Sequence, residues 1–304
     1  MEMSSSQYAR AKEEINELIK SGARVVGLDI FDSANNYSMT KVVRDNIDWF
    51  YELYEDYYKL VMSSSDEESF KFMKCLKDCD IIDTNTMESE DSFLLTLYRN
   101  SHRECAIDSM IRNADKKITN KKLIENHDKI LKGTSSENKI GLRKDNLQFV
   151  GSIIDGVKHV SYFPVLAENV ECALTKFVSL YNNNLDSSCD KYEALIRPIM
   201  YHGLIAALQM FNDGNTRLGR NIQHVELWKF VRDYLSYDSK LPLLYATRPY
   251  SAYRTQYRDC IRALAVDNNQ DAWNEWYKFN LSRIQDSIFM NEERFKEFQR
   301  RVKK

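Results

Sequence analysis

The chain is 304 residues long, with a formal charge of −2 at pH 7, 43 % hydrophobic and 29 % charged residues. No apolar run reaches the ~18 residues of a membrane span, and the balance of charge lacks the basic excess of proteins that live on nucleic-acid phosphates, which disfavours a nucleic-acid partner. Nine glycines and four prolines are too few for turn-rich sandwiches, barrels or doubly wound sheets, so the composition predicts a mostly α protein.

The opening Met1-Glu2-Met3-Ser4-Ser5-Ser6 lacks the charged-then-apolar pattern of a secretory signal peptide, and predicts a cytoplasmic protein or one delivered to a host cell. A short helix is expected from Gln7 to Lys20, broken by Ser21-Gly22, with a small apolar run at Arg24 to Leu28. Over 40–62 the apolar positions Val43, Ile47, Phe50, Tyr54, Tyr57 and Val61 step by four and three, one face of a helix. Ser63 to Glu68 reads as a break and a cap with acids in the next first turn, and helices are expected over 66–78 and 90–114. The stretch 115–162 holds four of the nine glycines, and Ile140 to Arg143 with Leu147 to Val150 predict two short strands around a turn. An amphipathic helix is expected over 166–181, a polar loop over 182–190, and an apolar, buried helix over 191–210. The last third, 220–304, reads as helical and rich in aromatics. Three segments follow: a helical region 1–114 for packing or regulation, a core 115–240, and C-terminal helices 241–304. Six cysteines, without a CxxC pair, read as reduced thiols, and five scattered histidines predict no dedicated metal cluster. Basic pairs at Lys116-Lys117, Lys121-Lys122 and Arg300-Arg301 read as solvated helix ends.

One segment carries chemistry. Residues 209–220 read Gln-Met-Phe-Asn-Asp-Gly-Asn-Thr-Arg-Leu-Gly-Arg. A buried apolar helix ends in a polar loop that leads into another helix, and a helix N-terminus behind loop glycines is an anion site. Arg217 and Arg220, three apart, can share a face and grip phosphates in forked fashion. Asp213 could hold a divalent ion that bridges phosphates. The competing reading is a plain helix stop at Gly214-Asn215 with arginines paired to Asp213 or Glu226. A P-loop is rejected: Arg220 and Asn221 stand where its lysine and hydroxyl belong, and a helix rather than a strand precedes it.

This segment resembles the loop of the Fic/Doc (Fido) family, His-Pro-Phe-x-Asp/Glu-Gly-Asn-Gly-Arg-x-x-Arg. His202 lies seven residues before Gln209, as the family's helix histidine precedes its catalytic one. Gly141-Leu142-Arg143 to Gly151 is similar to the family's β-hairpin flap, Tyr162-Phe163-Pro164 to its lead into the next helix, and Arg248-Pro249-Tyr250 with the Trp273 to Trp276 helix to its C-terminal portion. The resemblance spans roughly 115–285. It implies a Fic-like helical bundle with a short β-hairpin flap at 140–151 and an anion loop at 209–220.

Fic proteins mostly transfer AMP from ATP to a hydroxyl of a target protein, so the resemblance implies ATP or another nucleotide with Mg²⁺. Asp213 would hold the metal. Gly214, Asn215, Thr216 and Gly219 would form the anion cradle, and Arg217 and Arg220 would bind the phosphate tail. A target protein would dock on 141–150 as an added strand. Gln209 occupies the catalytic histidine's position. General base catalysis typically contributes 10²–10⁴-fold, and glutamine has no titratable group near neutral pH, though it can orient a hydroxyl. Thr216 stands where glycine is usual and brings a Cβ toward the phosphate. Two readings stay open: a transferase impaired by Gln209, and an inactive Fic-fold module that acts by binding a nucleotide or protein. His202 is expected to be buried and structural. Asp108, in a degenerate inhibitory helix, and Glu90 are candidates for an acid that clamps Arg220.

Overall fold

The computed structural model describes residues 5–87, 106–134, 136–154, 157–237 and 239–302. In chain order its helices are α1 (Ser5–Lys20), α2 (Ile30–Asn35), α3 (Lys41–Met62), α4 (Asp66–Met87), α5 (106–111), α6 (Asn120–Leu131), α7 (Val170–Asp186), α8 (Lys191–Leu208), α9 (Asn215–Leu235), α10 (Thr247–Ala252), α11 (Arg254–Val266) and α12 (Gln270–Val302). Between α6 and α7 lies one antiparallel pair, β1 (Val150–Ile154) and β2 (Val157–Tyr162). The protein is mostly α, as composition predicts.

α8 sits at the centre because its second half, from Pro198 to Leu208, is buried on every side. Asp190 caps it, accepting from the amides of Tyr192 and Glu193, and Leu195, Ile199 and Leu204 to Leu208 are completely buried. α9 is its most extensive neighbour, and α3, α7, α11 and α12 also pack on it. Gly203 allows the crossing with α12: a Cβ there would stand 2.6 Å from Trp276 Nε1. The six apolar positions expected on α3 are all buried, and Thr40 caps that helix by accepting from the Val43 amide at 3.4 Å. α3 packs along α12. One core cluster runs from Val26 to Phe295, so the three segments expected from sequence share one interior.

The boundaries shift in places. The helix expected over 66–78 runs on to Met87. Of the helix expected over 90–114, 106–111 is helical, while 90–105 lies outside the described residues. The helix after Pro164 starts at Val170 and continues to Asp186, which shortens the polar loop. The hairpin is displaced most. Its strands are 150–154 and 157–162, not 140–150, because Leu142 bridges Phe211 instead of a neighbouring strand.

Candidate functional site

The loop between α8 and α9 is built around two left-handed residues. Gln209 ends α8 at φ 50° and ψ 52°, and Gly214 precedes α9 at φ 73°. The Gln209 side chain is engaged at both ends. Its Nε2 donates to the Ala206 carbonyl at 2.6 Å, and its Oε1 accepts from Asn215 Nδ2 at 3.1 Å. Asn215, 2 % exposed, also donates to the Phe211 carbonyl and accepts from the Phe211 amide, both at 2.9 Å. Phe211 is completely buried and stacks on His127, with ring centroids 4.0 Å apart. Burial lowers the His127 pKa and favours the neutral ring. Its Nε2–H donates to the Asp213 carbonyl at 2.7 Å.

The segment once expected to be a strand is the back wall of this loop. The Arg143 amide donates to Met210 O, and Arg143 Nε to Gln209 O at 2.7 Å. Its remaining nitrogens reach the carbonyls of Asp145 and Val165. Burial pushes the Arg143 guanidinium down to about 10, still charged at neutral pH. The Asn212 amide donates to Gly141 O, and Gln148 Nε2 to Asn212 O.

Asp213 is surrounded by donors. Oδ2 accepts from Ser136 Oγ at 2.6 Å and Lys139 Nζ at 3.4 Å; Oδ1 accepts from the Gly214 amide at 2.5 Å and Arg217 Nη2 at 3.2 Å. Burial alone would raise this carboxyl. The Ser136 hydroxyl, Arg217, the Gly214 amide and Lys139 outweigh burial and hold it below the ordinary carboxylate range. Four donors occupy the four lone-pair positions of the carboxylate, and two of them are cations. A Mg²⁺ ion at Asp213 would have to displace Lys139, a largely exposed partner at 3.4 Å, and sit beside Arg217, so these two cations compete with it for the carboxylate. Among the described residues no three His, Cys, Asp or Glu side chains converge as a metal cluster.

The loop opens into a cleft of about 900 Å³. Gln209, Asp213, Gly214, Asn215 and Thr216 form one wall; the hairpin contributes Val150, Gly151 and His159 to Tyr162; α11 contributes Arg254, Arg258 and Arg262. The first amides of α9, at Asn215 and Thr216, have no carbonyl one turn back to bond, and they carry the positive end of the helix dipole. Of the residues predicted for the site, Arg217, Gly219 and Arg220 stand behind this wall and do not line it. Arg217 is 4 % exposed and Arg220 0 %. Gly219 serves the contact of α9 with α8: a Cβ there would stand 2.7 Å from His202 Cδ2. His202 is buried, donating from Nδ1 to Gln223 Oε1 at 2.6 Å and accepting from Tyr257 Oη at 2.7 Å, as the structural reading expects. Asp108 pairs with Lys77 at 3.1 Å rather than with Arg220. Glu90 lies outside the described residues.

Sequence reasoning missed His127, Arg143 as a loop clamp, and the α11 arginines. The arginines are four apart, a visible pattern; their position opposite the loop is not visible locally.

Residues 117–227 match the Fic/DOC family. Two solved structures share the fold. A Fic family protein from Desulfovibrio desulfuricans G20 is 14 % identical, with a TM-score of 0.56 over 84 % of this chain and 75 % of its own. Residues 134–508 of Fic-1 from C. elegans are also 14 % identical, with a TM-score of 0.54 over 84 % of this chain and 72 % of that one. No curated protein matches the chain by sequence.

Proposed function

Residues 117–227 belong to the Fic/DOC family, and from that premise we propose that this protein binds a nucleotide or another phosphate ester at the N-terminus of α9 and does not transfer it efficiently. The observation that carries this reading is the engagement of Gln209. At the position of the family's general base stands an amide whose nitrogen donates to Ala206 and whose oxygen accepts from Asn215. It has no basic lone pair for a target hydroxyl. The same bonds hold the loop that leads into α9, where the first amides of the helix, at Asn215 and Thr216, would meet an anion. ATP is the nucleotide that the family reading favours. Its phosphates would meet the helix dipole and the α9 amides, with Arg217 and Arg220 adding positive charge from behind. No role for Mg²⁺ is drawn at Asp213, since Lys139 and Arg217 already neutralise that carboxylate. A target protein would lie along β1 and β2, because 141–149 is laced to the loop.

Titration calorimetry of the purified protein with ATP and ADP tests the site. Thr216→Glu is the control variant. A carboxylate in the first turn suits the helix dipole and keeps α9 intact, yet it repels a phosphate. We expect saturable nucleotide binding that weakens about tenfold or more in this variant, one elementary repulsion in a confined site. Equal binding by both forms, or none by either, contradicts the reading.

A further inference from the structure

The wall of the cleft opposite the loop is a row of arginines. Arg254, Arg258 and Arg262 recur every four residues along α11, and all three line the cleft. Arg258 and Arg262 are exposed and Arg254 is half-buried, while Tyr257 and Ile261 between them turn into the core. Among the described residues none of the three takes an ion pair or hydrogen bond. Asp259, on the same stretch of helix, also lines the cleft, so this wall carries three cations against one anion. A row of arginines usually meets carboxylates along its own helix; here α11 offers Asp259 alone.

We propose that this row selects the target: it receives an extended peptide with acidic side chains at alternate positions, lying between α11 and the hairpin. The spacing is the argument. Arginines four apart on a helix repeat about every 6 Å along its axis. Alternate side chains of an extended chain repeat about every 6.6–6.8 Å. Three carboxylates at positions i, i+2 and i+4 therefore fall in step with three guanidiniums, each able to accept a forked pair of hydrogen bonds. β1 and β2 form the adjoining wall and offer strand backbone to a chain in that conformation. A single-stranded nucleic acid also carries regular negative charge, and half-buried Phe149 with exposed His159 in this cleft could meet a base; the chain's formal charge of −2 lacks the basic excess of nucleic-acid binders and favours the peptide, so the oligonucleotide is an outcome of the test. This inference rests on the reading of the cleft as a target-binding site, and it is tested without nucleotide, so its failure is separate from failure of the nucleotide site.

The test is fluorescence anisotropy with labelled peptides and the full chain at low and physiological salt. Three ten-residue peptides share composition apart from their charges: acids at alternate positions, the same acids placed consecutively, and glutamines replacing the acids. The alternating peptide is expected to bind about tenfold more tightly than the consecutive one, with affinity falling as salt rises. Arg258→Glu and Arg262→Glu should each weaken it about tenfold, and a peptide with lysines at the alternate positions should recover binding to the doubly reversed protein. Circular dichroism spectra and urea midpoints equal to those of the unaltered protein show that these variants are folded. Equal affinity for the three peptides overturns the proposal, as does indifference to Arg258→Glu and Arg262→Glu. Tighter binding of a single-stranded oligonucleotide that depends on the same arginines overturns it in favour of a nucleic-acid site.

Discussion

The Oε1 atom of Gln209 accepts a hydrogen bond from Asn215 Nδ2 at 3.1 Å, so the last turn of α8 and the first turn of α9 hold each other across the loop. The same Asn215 satisfies both backbone groups of buried Phe211. Asn215→Ala leaves those groups and the Gln209 oxygen without their partner. Because unsatisfied buried polar groups cost roughly 1–3 kcal/mol each, the variant should lose about 3 kcal/mol. Urea denaturation followed by circular dichroism measures this. A loss below about 1 kcal/mol would show that water replaces the bonds.

Gly219 tests the division between packing and binding. A Cβ at this position stands 2.7 Å from His202 Cδ2 and 3.1 Å from the His202 carbonyl oxygen. Overpacking of this kind typically costs 1–3 kcal/mol, so Gly219→Ala should lower stability by about 2 kcal/mol. Affinity for nucleotide, measured below the unfolding transition, should change little. A large loss of affinity with unchanged stability would place Gly219 in the cradle after all.

The family resemblance and the observed geometry part company over the metal. Asp213 already accepts from four donors, including Lys139 and Arg217. ATP affinity should therefore differ by less than about threefold between Mg²⁺ and chelator. Lys139→Ala removes one of the cations and opens one position on Oδ2, and this variant should bind ATP more tightly with Mg²⁺ than without. Strong Mg²⁺ dependence in the unaltered protein would contradict the arrangement at Asp213.

Two buried histidines set a pH dependence. Burial lowers the pKa of His127 and, further, that of His202, where Arg220 adds to the effect. The charged groups facing His127 are Asp128 and Arg217. The unfolded chain takes up these protons near pH 6.5 while the folded chain does not, so their contribution is complete above that pH. Stability falls as pH drops from about 6.5 toward the lowered values, by up to about 1.4 kcal/mol per pH unit for each histidine. Glu226 works in the opposite sense, because burial raises its carboxyl. Urea midpoints between pH 7.5 and 5.5 should therefore decline, and more steeply in Glu226→Gln, where the opposing carboxyl is gone; a flat profile in that variant would show that the fold holds neither ring neutral.

The legibility of the chain follows the range of the interactions. α3 could be read because its six buried residues recur at helical spacing within one element, and the loop at 209–220 because its glycines, acid and arginines are contiguous. The hairpin was misplaced by about ten residues. Gly141-Leu142-Arg143 has the local look of a strand, but its partner is Phe211, nearly seventy positions away, and no local pattern announces that bridge. The stack of His127 on Phe211 is hidden for the same reason. Arg217 and Arg220 read as part of a loop over 209–220, whereas α9 begins at Asn215 and carries both in its first two turns, where packing against α8 buries them. The arginines of α11 are periodic in the sequence, and only the fold sets them opposite Thr216.

The central claim is binding without efficient transfer, and intact-mass spectrometry tests it most directly. The native protein and Gln209→His are incubated with ATP and a peptide that carries a hydroxyl and alternating acids, with calorimetric binding measured alongside. The account predicts that both forms bind ATP, that the native protein leaves protein and peptide masses unchanged, and that the histidine form adds AMP to one of them. A nucleotide adduct made by the native protein at a rate similar to that of the histidine form would contradict it.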